Sequence, residues 1–192
     1  FCGVMAALFV LSCAAINPVC LMLTPVALVL VALYSYTKRF TWACHFVLGA
    51  VIGLAPVAGW LSVQPALSLP PVLLGLGVLF WIAGFDALYS CQDKGFDESQ
   101  GLHSLPVRFG VHGAMLLSTF SHVNTVLFLL LAGYACDLSW GWYAAILAAG
   151  AILLWEHRLI GPDNLTNIRF VFALNGPISI LLLIGALLGV FF

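Results

Sequence analysis

Three carboxylates spaced 7 and 4 residues apart make one segment of this sequence the strongest candidate for chemistry. Asp86, Asp93 and Asp97, together with Tyr89, follow a long apolar run, which places them near a lipid–water boundary. Positions 3, 7 and 11 residues after Asp86 fall within roughly 80° on an α-helix, so the spacing predicts one shared helical face. Aligned carboxylates repel one another unless a cation compensates them. Oxygen donors without sulfur or paired histidines favour Mg²⁺, which also binds phosphates.

Two other interpretations of the acidic segment stay open. Ca²⁺ is less favoured than Mg²⁺, because residues 86–97 lack the spaced ligands and the glycine of an EF-hand loop. Alternatively, the segment is a solvated loop whose acids pair with Lys94 and Arg108 and hold no metal.

Basic residues on both sides of the acidic segment could bind phosphate. Lys38 and Arg39 end an apolar run that begins well before Tyr34, and Arg108 follows the carboxylates. Such cations recognise phosphate groups through charge-assisted hydrogen bonds. Lysine and arginine are also expected at cytoplasmic helix ends for topological reasons alone. Single histidines without an evident partner are more typical of structural roles, and this applies to His45, His103 and His157.

The composition shows which elements must position these residues. The 192 residues are 64% hydrophobic and 7% charged, with a mean hydropathy of +1.15, a balance that indicates a bilayer protein. One span needs about 20 apolar residues, so the chain holds roughly seven. The apolar runs do not alternate with period two, which excludes a β-barrel and predicts an all-α, polytopic transmembrane helix bundle. A net charge of −1 offers no basic face for nucleic acid.

Breaking the apolar runs at charges, prolines and turn residues fixes the expected topology. The predicted spans lie near residues 1–15, 19–35, 43–63, 71–91, 112–133, 140–158 and 170–192. All six basic residues then fall on one side of the membrane: Lys38, Arg39, Lys94, Arg108, Arg158 and Arg169. By the positive-inside rule this side is cytoplasmic.

Several features inside the predicted spans concern packing. Gly49 and Gly53, like Gly185 and Gly189, are spaced to let helices approach closely. The six cysteines contain no C-x-x-C pair, so neither a zinc site nor a disulfide framework is indicated. Asn175 is polar within the last span, where it could line a substrate cavity or form a hydrogen bond between helices.

The motifs around these residues resemble those of a known family. The stretch from Asp86 to Asp97, followed by the loop at residues 101–110, resembles the second aspartate-rich motif of the UbiA-type membrane prenyltransferases. Lys38 and Arg39, four and five residues after Tyr34, are similar to the family's other cytoplasmic signature. Residues 47–60 are similar to a helix of its 4-hydroxybenzoate polyprenyltransferase branch. The resemblance covers essentially the whole chain.

The resemblance implies a nine-helix bundle with a cavity that opens to lipid. Residues 1–192 would form a single domain that corresponds to the third through ninth helices. The family's first aspartate-rich motif, which begins Asn-Asp, is missing from these residues and would fall just before Phe1. Either the sequence is truncated at its N-terminus or the gene product lacks half of the metal site. In the first case residues 1–192 alone are expected to be inactive.

The resemblance also implies a reaction and roles. The expected activity is Mg²⁺-dependent transfer of a polyprenyl group from polyprenyl diphosphate to a 4-hydroxybenzoate-like aromatic acid in quinone biosynthesis, at the cytoplasmic face of a bacterial inner membrane. Asp93 and Asp97, then Asp86, would hold Mg²⁺. Binding of the diphosphate or of the acceptor's carboxylate is assigned to Lys38, Arg39 and Arg108. Candidates for stabilising a carbocation are Tyr34, Tyr36, Phe85 and Tyr89.

Other functions are compatible with the same residues. The acceptor could be a naphthoate, as in menaquinone synthesis, or homogentisate, haem or a chlorophyll precursor. A transporter could use the same aspartates, although such proteins commonly show inverted repeats and charges at the membrane midplane. A non-catalytic membrane scaffold derived from a transferase is the remaining alternative.

Overall fold

The computed structural model describes residues 1–191, and within this range it contains α-helices but no β-strand. The helices are α1 (Cys2–Ile16), α2 (Pro18–Thr37), α3 (Cys44–Val63), α4 (Leu69–Ser90), α5 (Lys94–Ser99), α6 (Leu105–Ala135), α7 (Trp140–Leu159) and α8 (Ile168–Phe191). A short 3₁₀ turn, Cys91–Asp93, joins α4 to α5. The prediction of an all-α bundle is confirmed.

Seven long helices correspond to the seven predicted spans, and α5 is a six-residue addition. Within residues 1–191, five are long and apolar enough to cross a membrane by length and composition: α2, α3, α4 with its extension, α6 and α8. Helix α1 has 15 residues. Helix α7 has 20 residues, and its last turn carries His157 and Arg158.

Helix α4 lies at the centre of the packing. It contacts α3 on one side and α6 on the other, while α7 packs mainly against α8. Trp81 of α4 joins Ala149 and Leu153 of α7 and Ile178 of α8 in one buried apolar cluster. Helix α4 is therefore held between α3 and α6.

Small residues allow the closest helix approaches, as predicted from the glycine pairs. A Cβ added at Gly49 or Gly53 of α3 would overlap backbone carbonyls of α4, at Leu79 and Gly75 respectively. A Cβ added at Gly185 of α8 would overlap the Cβ of Ala145 on α7. These positions admit only glycine at the observed helix spacing.

The charged residues other than Asp137 lie together at one end of the bundle. The backbone N–H of His103 donates to the carbonyl of Lys38 at 2.7 Å, which joins the end of α2 to the loop before α6. At the opposite end, Asn17 donates to the Leu61 carbonyl at 2.8 Å, and this joins the α1–α2 turn to the end of α3. The end that contains Lys38 and His103 is the polar end.

The acidic segment does not form the single helix that its spacing suggested. Helix α4 ends at Ser90, and the 3₁₀ turn overwinds the chain before α5 begins at Lys94. Asp97 consequently points in a different direction from the one that a continuous α-helix would give it. Helix α6 also begins earlier than predicted, and it is kinked at Gly110, whose φ of 71° is accessible to glycine without strain.

Candidate functional site: an acidic pocket at the polar end

A pocket of about 180 Å³ opens between α2, α3 and the end of α4. Its walls carry carboxylate, ammonium, hydroxyl, thiol and imidazole groups as well as two phenol rings. The lining residues are Tyr34, Ser35, Thr37, Lys38, Cys44, His45, Asp86, Tyr89, Ser90 and Asp93. Four residues that the sequence singled out independently as site candidates, Tyr34, Lys38, Asp86 and Asp93, therefore share one cavity, and Tyr89 is a fifth.

Asp86 is held in this pocket by a histidine from a different helix. The Nδ1 atom of His45 lies 2.7 Å from Asp86 Oδ2, and the imidazole is 2% exposed whereas the carboxylate is 27% exposed. On its other side, His45 Nε2 accepts the backbone N–H of Leu105 at 3.3 Å. One imidazole thus joins α3, α4 and the start of α6.

Asp97 forms a second buried contact beside the pocket. Its Oδ2 atom lies 2.8 Å from Lys38 Nζ, and the carboxylate is 1% exposed. Within residues 1–191 this oxygen has no partner in hydrogen-bonding geometry, so the contact is a charge–charge pair rather than a directed hydrogen bond. Asp97 is not part of the pocket lining, and it reaches the site through Lys38.

The loop after α5, residues 100–104, is hydrogen-bonded to neighbouring segments at this end of the bundle. The N–H of Leu102 donates to the Asp97 carbonyl at 2.8 Å, and the Sγ of Cys44 lies 3.6 Å from the His103 carbonyl. Gly101 has a φ of 63°, which lets the chain turn back after α5. These contacts join the loop to α5 and to the start of α3 at the polar end.

The two phenol rings stand at the pocket in different surroundings. Tyr89 contacts the ring of Phe172 with a centroid distance of 4.9 Å, and Phe85 contacts the same ring at 5.4 Å. Phe85 is not part of the pocket lining, and Tyr36 faces outward, 55% exposed. Of the four aromatic candidates, Tyr34 and Tyr89 are thus the two at the cavity.

The carboxylates suit a metal that brings other ligands with it. In the part of the chain that the structure describes, no three His, Cys, Asp or Glu side chains are close enough to hold a metal ion between them. Mg²⁺ binds through one or two carboxylates while keeping waters and substrate phosphates. Asp86 and Asp93 line the pocket together and fit that mode.

The other predicted binding residues lie outside the pocket lining. The Arg39 guanidinium stacks over the ring of Tyr36, with its carbon 5.4 Å from the ring centroid. Arg108 is exposed in the first turn of α6, and among the described residues it forms no ion pair with the carboxylates. Asn175 accepts a hydrogen bond from Trp81 Nε1 at 2.8 Å, which makes it a link between α8 and α4.

His45 is the site residue to which the sequence analysis gave no function. It precedes Asp86 by 41 residues, so no local spacing connects the two. The available signal was its position in the first turn of α3, the helix that follows Lys38 and Arg39. The start of α3 and the end of α2 lie at the same end of the bundle, which places His45 near the site.

The fold and the pocket define an integral membrane protein of the polytopic α-helical class, with an acidic site at one end of its bundle. The chain belongs to the UbiA prenyltransferase family, whose model matches residues 1–181. It is 26% identical over 170 residues to 4-hydroxybenzoate octaprenyltransferases of Salmonella paratyphi B and Salmonella newport, with 88% of this chain covered. It spans 58% of the length of these relatives.

A solved structure supports the same assignment. The apo structure of a UbiA homologue from Aeropyrum pernix matches this fold with a TM-score of 0.83 and 28% sequence identity. The match covers 94% of this chain and 67% of that one. This chain therefore shares its helix arrangement with a UbiA homologue of known structure.

Proposed function

We propose that the protein containing this chain transfers a polyprenyl group from polyprenyl diphosphate to 4-hydroxybenzoate or a similar aromatic acid in quinone biosynthesis, with Mg²⁺ as cofactor. The observation that carries the proposal is the pocket that Asp86, Asp93 and Lys38 line where apolar helices end. Such a pocket can hold a diphosphate at the membrane edge while its hydrocarbon chain lies along the helices. The names of the Salmonella relatives support the choice of acceptor.

The metal would bind to the pocket carboxylates. Asp86 and Asp93 would hold Mg²⁺, and Asp97 could join them only if the Lys38 ammonium moved away from it. Bound there, Mg²⁺ would supply positive charge opposite the leaving diphosphate. The remaining contributions come from the chain itself.

The pocket side chains can assist the departure of diphosphate directly. Lys38 is partly exposed in the pocket, so its ammonium can bind a diphosphate oxygen. The rings of Tyr34 and Tyr89 line the same cavity and can stabilise positive charge on the allylic carbon by about 0.5–2 kcal/mol each. Arg39 and Arg108 lie nearby at the polar end, where they can attract the diphosphate or the acceptor's carboxylate.

We place the polar end at the cytoplasmic face of a bacterial inner membrane. The basis is the distribution of lysine and arginine, since all six fall in or beside the connections at this end. Soluble diphosphate and aromatic acid would then reach the pocket from the cytoplasm.

The test is a transfer assay on the protein expressed from its complete coding sequence and reconstituted in nanodiscs. Polyprenyl diphosphate and 4-hydroxybenzoate are incubated with and without Mg²⁺, and prenylated acid is measured by mass spectrometry. We expect Mg²⁺-dependent product, and a loss of at least about 100-fold in Asp93→Ala because the pocket then keeps one carboxylate. Membrane insertion should be unaffected.

Asp163→Ala is the matched control, because Asp163 is exposed in the α7–α8 loop and does not line the pocket. Its turnover should equal that of the wild type. Near-normal turnover in Asp93→Ala would contradict the site. Diphosphate binding without product would keep the family reaction and point to a naphthoate acceptor, and loss of both would favour a scaffold.

We also propose that residues 1–192 on their own insert into membranes but do not turn over. They carry one acidic segment and span 58% of the length of the curated relatives. A single pair of pocket carboxylates would leave the diphosphate poorly neutralised. Product formed by purified residues 1–192 at a rate close to that of the complete protein would refute this proposal.

A further inference from the structure

His45 connects three separate segments at the polar end. It lies in the first turn of α3 and is 2% exposed. Its Nδ1 atom is 2.7 Å from Asp86 Oδ2 on α4, and its Nε2 atom is 3.3 Å from the Leu105 nitrogen at the start of α6. Leu105 is completely buried, so its contact with His45 is not easily replaced by water.

The contact with Leu105 determines which ring nitrogen carries hydrogen. A backbone N–H can only donate, so Nε2 of His45 must be the acceptor and bears no hydrogen. The ring hydrogen is then on Nδ1, where it is donated to the Asp86 carboxylate. Rotating the ring by 180° would break both hydrogen bonds, so the imidazole has one stable orientation.

Leu105 also needs this acceptor. It is the first residue of α6, where backbone N–H groups lack partners within the helix. A buried N–H without a partner is strongly unfavourable, so the start of α6 holds the imidazole in place. The Leu105 N–H thus orients the imidazole of His45, and the imidazole in turn orients the Asp86 carboxylate.

Asp86 keeps one oxygen available to a ligand. His45 binds Oδ2, while the side chain as a whole is 27% exposed at the pocket. A carboxylate that is fixed by a second residue presents its free oxygen in a constant direction. Residues that hydrogen-bond to metal ligands commonly orient those ligands in this way. Asp93, the other pocket carboxylate, forms no ion pair with Lys or His among the described residues.

We propose that His45 is a positioning residue of the acidic pocket: held by the Leu105 N–H, it donates Nδ1–H to Asp86 and so fixes that carboxylate for a divalent cation and its diphosphate. This inference rests on the proposed function, because it deepens the same site. The imidazole does not itself touch the substrate. Its contribution is the orientation of Asp86.

Two substitutions separate the donor from the acceptor of the imidazole. His45→Asn places an amide N–H near the position of Nδ1, so it keeps a donor for Asp86 but loses the acceptor for Leu105. His45→Gln places its amide near the position of Nε2, so it keeps an acceptor for Leu105 but loses the donor. His103→Asn is the control, since the His103 side chain is exposed and outside the pocket lining.

The measurements are made on the complete protein in nanodiscs. Mn²⁺ binding in the presence of inorganic pyrophosphate is followed by electron paramagnetic resonance, and transfer kinetics and thermal unfolding are recorded in parallel. We expect His45→Gln to weaken Mn²⁺ binding and to lower kcat by about 10- to 100-fold, the usual effect of removing an outer partner of a metal ligand. His45→Asn should remain within about 3-fold of wild type.

Equal losses in the two variants, or a larger loss in His45→Asn, would overturn the proposal, because the donor to Asp86 would then not be what the pocket requires. A purely structural role through the Leu105 N–H predicts the larger loss in His45→Asn. Unchanged Mn²⁺ binding in His45→Gln would also overturn the proposal. Nuclear magnetic resonance of ring-¹⁵N-histidine protein, assigned by difference with His45→Asn, gives a test without folding risk. A hydrogen on Nε2 of His45 in the wild type would refute the arrangement.

The two proposals fail in different ways. Suppose that the wild type forms no prenylated acid but that Mn²⁺ still binds more tightly to His45→Asn than to His45→Gln. The proposed reaction is then wrong and the positioning role stands. If product forms and the two variants behave alike, the reaction stands and the positioning role is wrong.

Discussion

Single residues at the polar end are held by contacts between distant parts of the chain. Lys38 and Asp97 are 59 positions apart in sequence, and His45 and Asp86 are 41 apart. Each pair joins a basic or imidazole group near the α2–α3 connection to a carboxylate near the end of α4. The pocket is thus a product of tertiary structure, and its residues should respond to substitution as pairs.

Lys38→Met should destabilise the protein, because it leaves the Asp97 carboxylate buried without its cation. We expect a loss of about 1–3 kcal/mol in the free energy of unfolding. Removing the charge as well, in Lys38→Met/Asp97→Asn, should recover most of that loss. The measurement is unfolding by sodium dodecyl sulfate in mixed micelles.

Lys94→Met is the control for this prediction. Lys94 lies 3.5 Å from Glu98 in a surface pair whose partners are 37% and 49% exposed. Such pairs contribute about 0–1 kcal/mol, so the control should change stability little. If Lys38→Met proved no more destabilising than Lys94→Met, the Lys38–Asp97 pair would contribute nothing to the stability of the fold.

Asn175 lies at the contact between α4 and α8. The sequence left two roles open for this residue, cavity lining and a link between helices. The structure shows the Trp81 Nε1–H donating to its side-chain oxygen at 2.8 Å, within the packed region of α4 and α8. A residue with this role acts on stability and only secondarily on substrate binding.

Asn175→Ala should therefore lower the free energy of unfolding by about 0.6–2 kcal/mol while KM for the diphosphate stays within about 2-fold. Asn124→Ala is the control, because Asn124 donates to the Phe120 carbonyl of its own helix and crosses no interface. An intact stability combined with a large rise in KM would assign Asn175 to the cavity instead.

Helix positions could be predicted from the sequence far better than the site contacts. Runs of about 20 apolar residues are a local property, so the seven long helices, and the close packing at Gly49 and Gly53, followed from composition and spacing. The break of the acidic segment at Ser90 was missed, because a 3₁₀ turn uses the same residues as an α-helix. The kink at Gly110 depends on a backbone angle that spacing does not encode.

Part of the predicted site shares one pocket, but the contacts between its residues were not predicted. Tyr34, Lys38, Asp86 and Asp93 carry motif signals and meet in one pocket. The pairing of Lys38 with Asp97 could not be foreseen, since both were assigned to ligands and the structure places them against each other. Which opposite charges meet is decided by helix packing, which brings together groups that are remote in sequence.

Lysine and arginine are distributed unequally between the two ends of the bundle. The polar end collects all the lysine and arginine, whereas the loop after α6 carries Cys136 and Asp137 without a basic neighbour. Transferring basic connections across a bilayer is unfavourable, so the polar end should remain in the cytoplasm. The acidic pocket would then face the compartment that supplies water-soluble substrates.

Labelling of cysteines in intact cells should show this orientation. Cys136 is exposed just beyond the end of α6, and Gln92 is exposed at the polar end. We expect a membrane-impermeant maleimide, mapped by peptide mass spectrometry, to label Cys136 in intact cells with a permeable outer envelope. In Gln92→Cys, position 92 should be labelled only after the inner membrane is opened. Labelling of position 92 in intact cells would reverse the orientation and place the acidic pocket on the outside, where the proposed cytoplasmic substrates could not reach it.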